Sequence, residues 1–158
     1  MVSKNIYFLK EKGFILIELL VAILILSIMV TVGITASEKQ MLKLKLDFDA
    51  KLLALNLRKW GAVVKDLEGA PAYVTFNFTN NTYYFIVNNS LKEAVALSPG
   101  IKFNSVTYSK NMANFDLRGN LNNGHITLED RNKQFRYIII APTTGRIRIS
   151  DIPPGSGW

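Results

Sequence analysis

The apolar run from Phe14 to Ile34 constrains this chain more than any other part of its sequence. Its only non-apolar residues are Glu18, Ser27, Thr31 and Gly33. A helix of about 20 residues, rising 1.5 Å per residue, covers the roughly 30 Å hydrocarbon core of a bilayer. The run therefore predicts one hydrophobic, membrane-length helix. A carboxylate inside such a helix is costly, so Glu18 needs a specific reason to be there.

Two simpler interpretations of this run explain less. A secretory signal peptide has an apolar core of about 7–15 residues and a small-residue cleavage site, whereas this run is longer and no Ala-x-Ala follows it. A plain signal anchor explains the length but not Glu18. Lys4, Lys10 and Lys12 precede the run, so the positive-inside rule places the N-terminus in the cytoplasm and the rest of the chain outside.

The order Lys12-Gly13-Phe14, then Glu18 and an apolar helix, resembles the N-terminus of type IV prepilins and pseudopilins. In that family a membrane aspartyl protease, the prepilin peptidase, cuts between the glycine and the phenylalanine and methylates the new amino terminus. The resemblance implies cleavage between Gly13 and Phe14, N-methylation of Phe14, and a role for Glu18 in filament assembly. Its implied partner there is the amino terminus of a neighbouring subunit.

The helical pattern continues beyond the apolar run and becomes amphipathic. Apolar residues recur at spacings of three, four and seven from Leu42 to Leu67, which predicts one long helix from Phe14 to Leu67. Four further apolar residues, Leu44, Phe48, Leu52 and Leu55, are expected to widen its buried stripe. Gly61 weakens a helix by roughly 1 kcal/mol relative to alanine, so we expect strain or a close contact there.

From Ala72 onward the pattern alternates with a period of two, which is typical of strands. Tyr73–Phe78 and Thr82–Val87 predict a hairpin, and a second hairpin is predicted from His125–Leu128 and Gln134–Ile140. Further strand candidates are Glu93–Leu97, Ile101–Phe103, Val106–Tyr108, Asn114–Leu117 and Arg146–Ile149. The predicted fold class is α+β, with one long N-terminal helix packed on a C-terminal antiparallel β head.

These patterns, together with what the resemblance to prepilins implies, divide the chain into five segments. They are a leader peptide, 1–13; a hydrophobic transmembrane or filament-core helix, 14–35; the amphipathic half of the same helix, 36–70; the β head, 71–152; and a flexible tail rich in Pro and Gly, 153–158.

The C-terminal half narrows the resemblance. Its motifs follow the order found in the GspH/FimT group of minor pilins and pseudopilins, and the layout is similar to that of ComGD. The segments that carry this resemblance are Phe115 to Asn120, Gly124 to Leu128, Phe135 to Ile140 and Gly145 to Ile149. In FimT-like members a Gly-Arg-x-Arg element is implicated in DNA binding during uptake of transforming DNA. Secretion members can carry a similar terminal strand without that role.

Arg146 and Arg148 flank Ile147 in this terminal segment. In a strand both guanidiniums point to one side, about 6.5 Å apart, and could bind neighbouring phosphates, while Ile147 and Ile149 face the core. Lys133 and Arg136 are expected to extend the patch, with Arg131 as a further candidate. Residues 101–158 hold eight basic and four acidic side chains. The alternative is a solvated edge strand whose arginines prevent aggregation.

Enzyme chemistry is not expected. The chain has one histidine, His125, and no cysteine, so it offers neither a thiolate nor a multi-histidine metal set, and we expect no metal and no cofactor. Ser-x-x-Lys and Gly-x-Ser-x-Gly elements are absent from the sequence.

Three functional hypotheses remain open at this point. The chain could be a minor pilin or pseudopilin that binds double-stranded DNA without sequence specificity for natural transformation, or a purely structural subunit of a type II secretion system or pilus. A membrane-anchored adhesin unrelated to filaments is the third. For the filament readings we expect a single-pass inner-membrane protein that moves to a periplasmic or surface filament, with other pilins and the prepilin peptidase as partners.

Overall fold

The computed structural model describes residues 4–67, 69–141 and 146–155, and it describes no side chains for residues 4–15 and 31–36. The chain divides into two compact units, residues 1–40 and residues 41–158.

Helix α1 runs from Lys4 to Lys65. It begins before the predicted Phe14 and ends two residues before the predicted Leu67. The residues after Lys65 close two tight turns, in which Asp66 N–H and Leu67 N–H donate to the carbonyls of Val63 and Val64. Among the residues that the structure describes, no helix is long and apolar enough to cross a membrane.

In the second unit α1 presents one buried stripe, as the spacing predicts. Its fully buried apolar residues are Leu46, Ala50, Leu53, Ala54, Leu57 and Val64. The predicted widening of this stripe is wrong for three of the four residues, because Leu44, Phe48 and Leu55 are 65%, 60% and 60% exposed, whereas Leu52 is half-buried. These three side chains lie outside the arc of the helix that the β-sheets cover.

In the part of the chain that the structure describes, eight strands follow the helix. They are β1 (Ala72–Asn77), β2 (Thr82–Val87), β3 (Ser90–Ala96), β4 (Ile101–Val106), β5 (Met112–Asn114), β6 (Gly124–Asp130), β7 (Phe135–Ile140) and β8 (Ile147–Ser150), with one 3₁₀ turn at Ser109–Asn111. The first sheet has the order β3-β2-β1-β5 and the second the order β4-β6-β7-β8, and all pairings are antiparallel. The predicted α+β class is confirmed.

The two predicted hairpins are present as β1–β2 and β6–β7. Asn81 and Lys133 have positive φ angles of 50° and 62° in the connecting turns, a conformation that asparagine tolerates well. The prediction of separate strands at Ile101–Phe103 and Val106–Tyr108 is wrong. A single strand, β4, spans most of this stretch, because an irregularity between Phe103 and Ser105 lets the pairing with β6 continue.

The helix and both sheets of the second unit share one hydrophobic core. Phe76 of the first sheet packs edge-on against Phe103 of the second, with 5.5 Å between ring centroids. Asn56 of α1 donates a 2.8 Å hydrogen bond to the hydroxyl of Tyr83, and burial raises the pKa of Tyr83 to about 12. This contact ties the helix to β2 through a satisfied polar pair.

The close contact expected at Gly61 exists. A Cβ atom on Gly61 would lie 2.3 Å from the carbonyl oxygen of Gly119, and one on Gly119 would lie 1.8 Å from the carbonyl oxygen of Gly61. Gly119 also has a φ of +76°, which favours glycine. The loop before β6 therefore meets the helix backbone to backbone, and this fixes the loop against the last turns of α1.

Candidate nucleic-acid interface

Of the two arginines that the sequence singles out, Arg148 lies in the C-terminal strand β8 and Arg146 directly precedes that strand. Ile147 is buried, Ile149 packs against the core, and Arg146 and Arg148 are exposed. The strand begins one residue later than predicted, at Ile147, so strand geometry places Arg148 on the side of the sheet opposite Ile147 and Ile149, and Arg146 is exposed just before the strand. Because β8 is an edge strand of its sheet, the arginines lie on a border of the β head.

The register of β7 against β8 defines the outer face on which Arg148 lies. Arg148 is opposite Ile139, and residues directly opposite one another in an antiparallel pair share a face. Tyr137 and Phe135 follow at two-residue steps along β7, with 6.4 Å between their ring centroids. The outer face thus combines the Arg148 guanidinium with half-buried apolar side chains.

Lys133 lies in the β6–β7 turn, at the far end of β7 from the residue opposite Arg148. Its side chain is 74% exposed, and its ammonium lies 2.6 Å from Oε1 of Glu129. The bond from Lys133, together with the charge of Lys102, holds the pKa of Glu129 below its usual range. Lys133 therefore belongs to a local ion pair that is separated from the arginines by about four residues of strand, roughly 13 Å.

Arg136 occupies a different environment from the one expected. It is opposite Leu128, which is fully buried, so it lies on the helix-facing side of the sheet. Its Nε donates a 2.6 Å hydrogen bond to Oδ1 of Asp47 on α1, and its side chain is 16% exposed. This ion pair couples β7 to the helix. Arg136 and Arg148 consequently point to opposite faces of the sheet and do not form one patch.

The structure brings together three other basic residues that the sequence does not identify as a group. Arg58 and Lys65 of α1 and Arg118 of the loop before β6 line one cleft of about 220 Å³. Nη2 of Arg58 donates a 2.7 Å hydrogen bond to the carbonyl of Ile147 in β8. The seven-residue spacing of Arg58 and Lys65 shows that they share a helix face. Only the tertiary contact at Gly61 brings Arg118 to them.

The residues implicated in processing and assembly all lie in α1. Gly13 and Phe14 belong to the part of the helix whose side chains are not described, and Glu18 is exposed on it. Within the described ranges, no cluster of three or more His, Cys, Asp or Glu side chains could hold a metal ion.

The architecture is a pilin-like fold, since a long N-terminal helix packs its second half against antiparallel β-sheets. A solved structure with this fold is that of the minor pseudopilin EpsH from the type 2 secretion system of Vibrio cholerae. The two match with a TM-score of 0.53 over 70% of this chain and 98% of that chain, at 9% sequence identity. At this identity the likeness concerns the fold. No protein-family model matches the sequence, and no curated protein matches it.

Proposed function

We propose that this protein is a minor pilin or pseudopilin subunit of a type IV filament and that it binds extracellular DNA during natural transformation. Two independent features support the filament part: the pilin-like fold of the described residues, and the order Gly13, Phe14, Glu18 at the start of an apolar helix. The fold alone would suit many assemblies, and the N-terminal order alone could arise in an unrelated anchor. Together they favour a subunit that acts by assembly.

In this proposal the prepilin peptidase cleaves between Gly13 and Phe14 and methylates Phe14. The precursor is held in the inner membrane by residues 14–35 with its N-terminus in the cytoplasm, and the mature subunit enters a periplasmic or surface filament. Glu18 pairs with the amino terminus of a neighbouring subunit. A carboxylate in an apolar surrounding costs several kcal/mol without such a partner, which is the physical reason for the pairing.

One observation carries the DNA part: Arg148 is exposed on edge strand β8, Arg146 is exposed directly before that strand, and Ile147 between them is buried. Guanidiniums bind phosphate oxygens through two parallel hydrogen bonds, and those about 6.5 Å apart can reach neighbouring phosphates of one strand. Contacts of this kind carry no base information, so binding should be independent of sequence. Lys133 can add a weaker contact at the far end of the sheet once it leaves Glu129.

A purely structural pseudopilin is the second candidate, and the fold of EpsH favours it. Charged side chains on an edge strand also prevent unwanted pairing between sheets, so Arg146 and Arg148 have a role in that candidate as well. A membrane-anchored adhesin is the third candidate, and it differs from the others in that prepilin peptidase would not process it.

DNA binding separates the first candidate from the second. We expect the full chain in detergent micelles to bind double-stranded DNA at low salt, with a measured affinity that falls steeply as salt increases. The double variant R146Q/R148Q should lose this binding at low salt. The measurement is fluorescence anisotropy of a labelled duplex over a series of salt concentrations.

The matched control is the double variant K43Q/K51Q, which removes the same charge from exposed positions of α1. It should change the affinity less, and the circular dichroism of both variants should match that of the parent. Equal losses of affinity in the two variants would show that DNA binding depends only on the net charge of the protein. Undiminished binding by R146Q/R148Q would exclude these two arginines as the DNA contact, and a parent chain that binds no DNA at low salt would belong to the structural class.

A further inference from the structure

The cleft between α1 and the loop before β6 is unusual in its charge. It has a volume of about 220 Å³, and three of the side chains that line it are cationic. None of the described residues that line it is acidic. The cationic residues are Arg58, Lys65 and Arg118, and the other walls include Gly61, Gly119 and Ile147.

Two of the cations, Arg58 and Lys65, lie on α1, and the third, Arg118, lies in the loop before β6. Arg58 is held by its hydrogen bond to the Ile147 carbonyl, while Lys65 and Arg118 are exposed. The nearest acidic residue in the loop, Asp116, accepts hydrogen bonds from the backbone N–H groups of Arg118 and Asn120. Through these bonds the Asp116 carboxylate faces the backbone of its own loop. Asp116 also interacts electrostatically with Arg118, but it does not line the cleft, whose described lining holds three cations and no acidic side chain.

The glycine pair makes the cleft possible. Gly61 and Gly119 contact each other through their backbones, so no side chain fills the space between the helix and the loop. The loop is stiffened by the bonds of Asp116 and by the N–H of Gly119, which donates 2.9 Å to the Asp116 carbonyl. Such a rigid concave site suits a small anionic group better than a flexible surface does.

We propose that this cleft binds a backbone phosphate of DNA and extends the contact made by β8. Ile147 links the two sites, because it lines the cleft while its neighbour Arg148 lies on the opposite face of β8 and Arg146 is exposed directly before the strand. Cations therefore lie on both sides of one sheet edge, and a duplex that follows this edge meets both sets. This inference rests on the proposed function and names a second part of the DNA-binding surface.

A phosphate chain fits the cleft better than an acidic protein segment does. The cations of the cleft and of β8 are spread over two faces of one edge, and a polyanion with regularly spaced charges can contact all of them at once. An acidic segment of another filament subunit is the competing occupant. Free inorganic phosphate shares the same chemistry as a DNA phosphate but lacks the connection to β8.

The test uses the full chain in detergent micelles and the double variant K65Q/R118Q, whose changed residues are both exposed. The control variant is K51Q/K92Q, which removes the same charge at exposed positions that do not line the cleft. We expect K65Q/R118Q to weaken duplex binding on the order of tenfold or more at 0.1 M salt and to reduce the salt slope by about two. The control should change the slope by less.

The variants R146Q/R148Q and K65Q/R118Q separate this inference from the proposed function. Loss of binding in R146Q/R148Q with control-like binding in K65Q/R118Q would overturn the cleft and leave the strand site standing. Loss in K65Q/R118Q alone would support the cleft and contradict the strand site. A parent chain that binds no DNA would overturn both.

Two further arms address the other occupants. Inorganic phosphate should displace the duplex only at concentrations far above those of the DNA phosphates, because a single phosphate lacks the contacts to β8. If inorganic phosphate displaced the duplex at a concentration equal to that of the DNA phosphates, the proposal that the cleft and β8 form one continuous DNA-binding surface would be wrong. If K65Q/R118Q impaired incorporation into filaments while duplex binding stayed at the control level, the occupant would be an acidic protein segment and the proposal would be wrong.

Discussion

The substitution Gly61→Ala tests the contact that positions the loop before β6. In an isolated helix, alanine is more favourable than glycine by about 1 kcal/mol. In this protein the added methyl group would lie 2.3 Å from the carbonyl oxygen of Gly119. That separation is more than an ångström shorter than an ordinary van der Waals contact. The backbone fixes the position of the methyl group, and its partner is a backbone oxygen, so no change of rotamer relieves the clash.

The expected magnitude follows from these two opposing effects. Inserting a methylene into a closely packed site costs typically 1–3 kcal/mol, and a backbone contact belongs at the upper end of that range. Subtracting the gain in helix propensity leaves a net destabilisation of about 2 kcal/mol. The adjacent, exposed Ala62 provides the control, because Ala62→Gly should cost only the propensity difference of about 1 kcal/mol.

The assay is urea denaturation of residues 37–158, followed by circular dichroism, for the parent and both variants. We expect the free energy of unfolding to fall for each variant and to fall further for Gly61→Ala. If Gly61→Ala were as stable as the parent or more stable, helix propensity would dominate, and the backbone contact with Gly119 would be refuted.

Three further substitutions test other contacts. Asp49 accepts two hydrogen bonds from Ser98, 2.8 Å from its N–H and 2.9 Å from its hydroxyl; Asp49→Ala should therefore lower the free energy of unfolding by about 1–3 kcal/mol, measured by urea denaturation, and an unchanged value would contradict these bonds. Lys133 lowers the pKa of Glu129 from 4.5, so the ionised carboxylate stabilises the folded protein above that value, and this stabilisation is lost as the pH falls through the lower folded-state pKa. Glu129→Gln should therefore destabilise the protein at about pH 7 and not at about pH 2. Equal destabilisation at both pH values would show that it does not come from the ion pair with Lys133. Glu18→Val should leave membrane insertion and cleavage intact but reduce incorporation into filaments, and normal incorporation would count against its pairing with a neighbouring amino terminus.

Local patterns in the sequence predict much of this fold. The spacing of Leu46, Leu53 and Leu57 identifies the buried face of α1, and the Asn-rich turns identify the hairpins. The exposure of Leu44 and Phe48 could not be predicted. Periodicity shows which residues share a helix face, but it does not show how wide an arc the sheets will cover.

The candidate site was predicted in part for a similar reason. The alternation around Ile147 correctly places Arg148 on the face opposite the isoleucines, whereas Arg146 precedes the strand. In β7 the alternation is ambiguous, because Phe135 and Tyr137 on one face are as apolar as Ile138 on the other. Only the register with β6 shows that Arg136 faces the helix. The cleft depends on a contact between distant parts of the chain, which a local pattern does not reveal.

The measurement that tests the central claim most directly is mass spectrometry of the N-terminus of the membrane form, made in cells that contain a prepilin peptidase. The account predicts a mature chain that begins at N-methylated Phe14, and an uncleaved precursor for the variant Gly13→Val. A mature chain of the parent that begins at Met1, or one cut near Ala36, would contradict the assignment to type IV filament subunits.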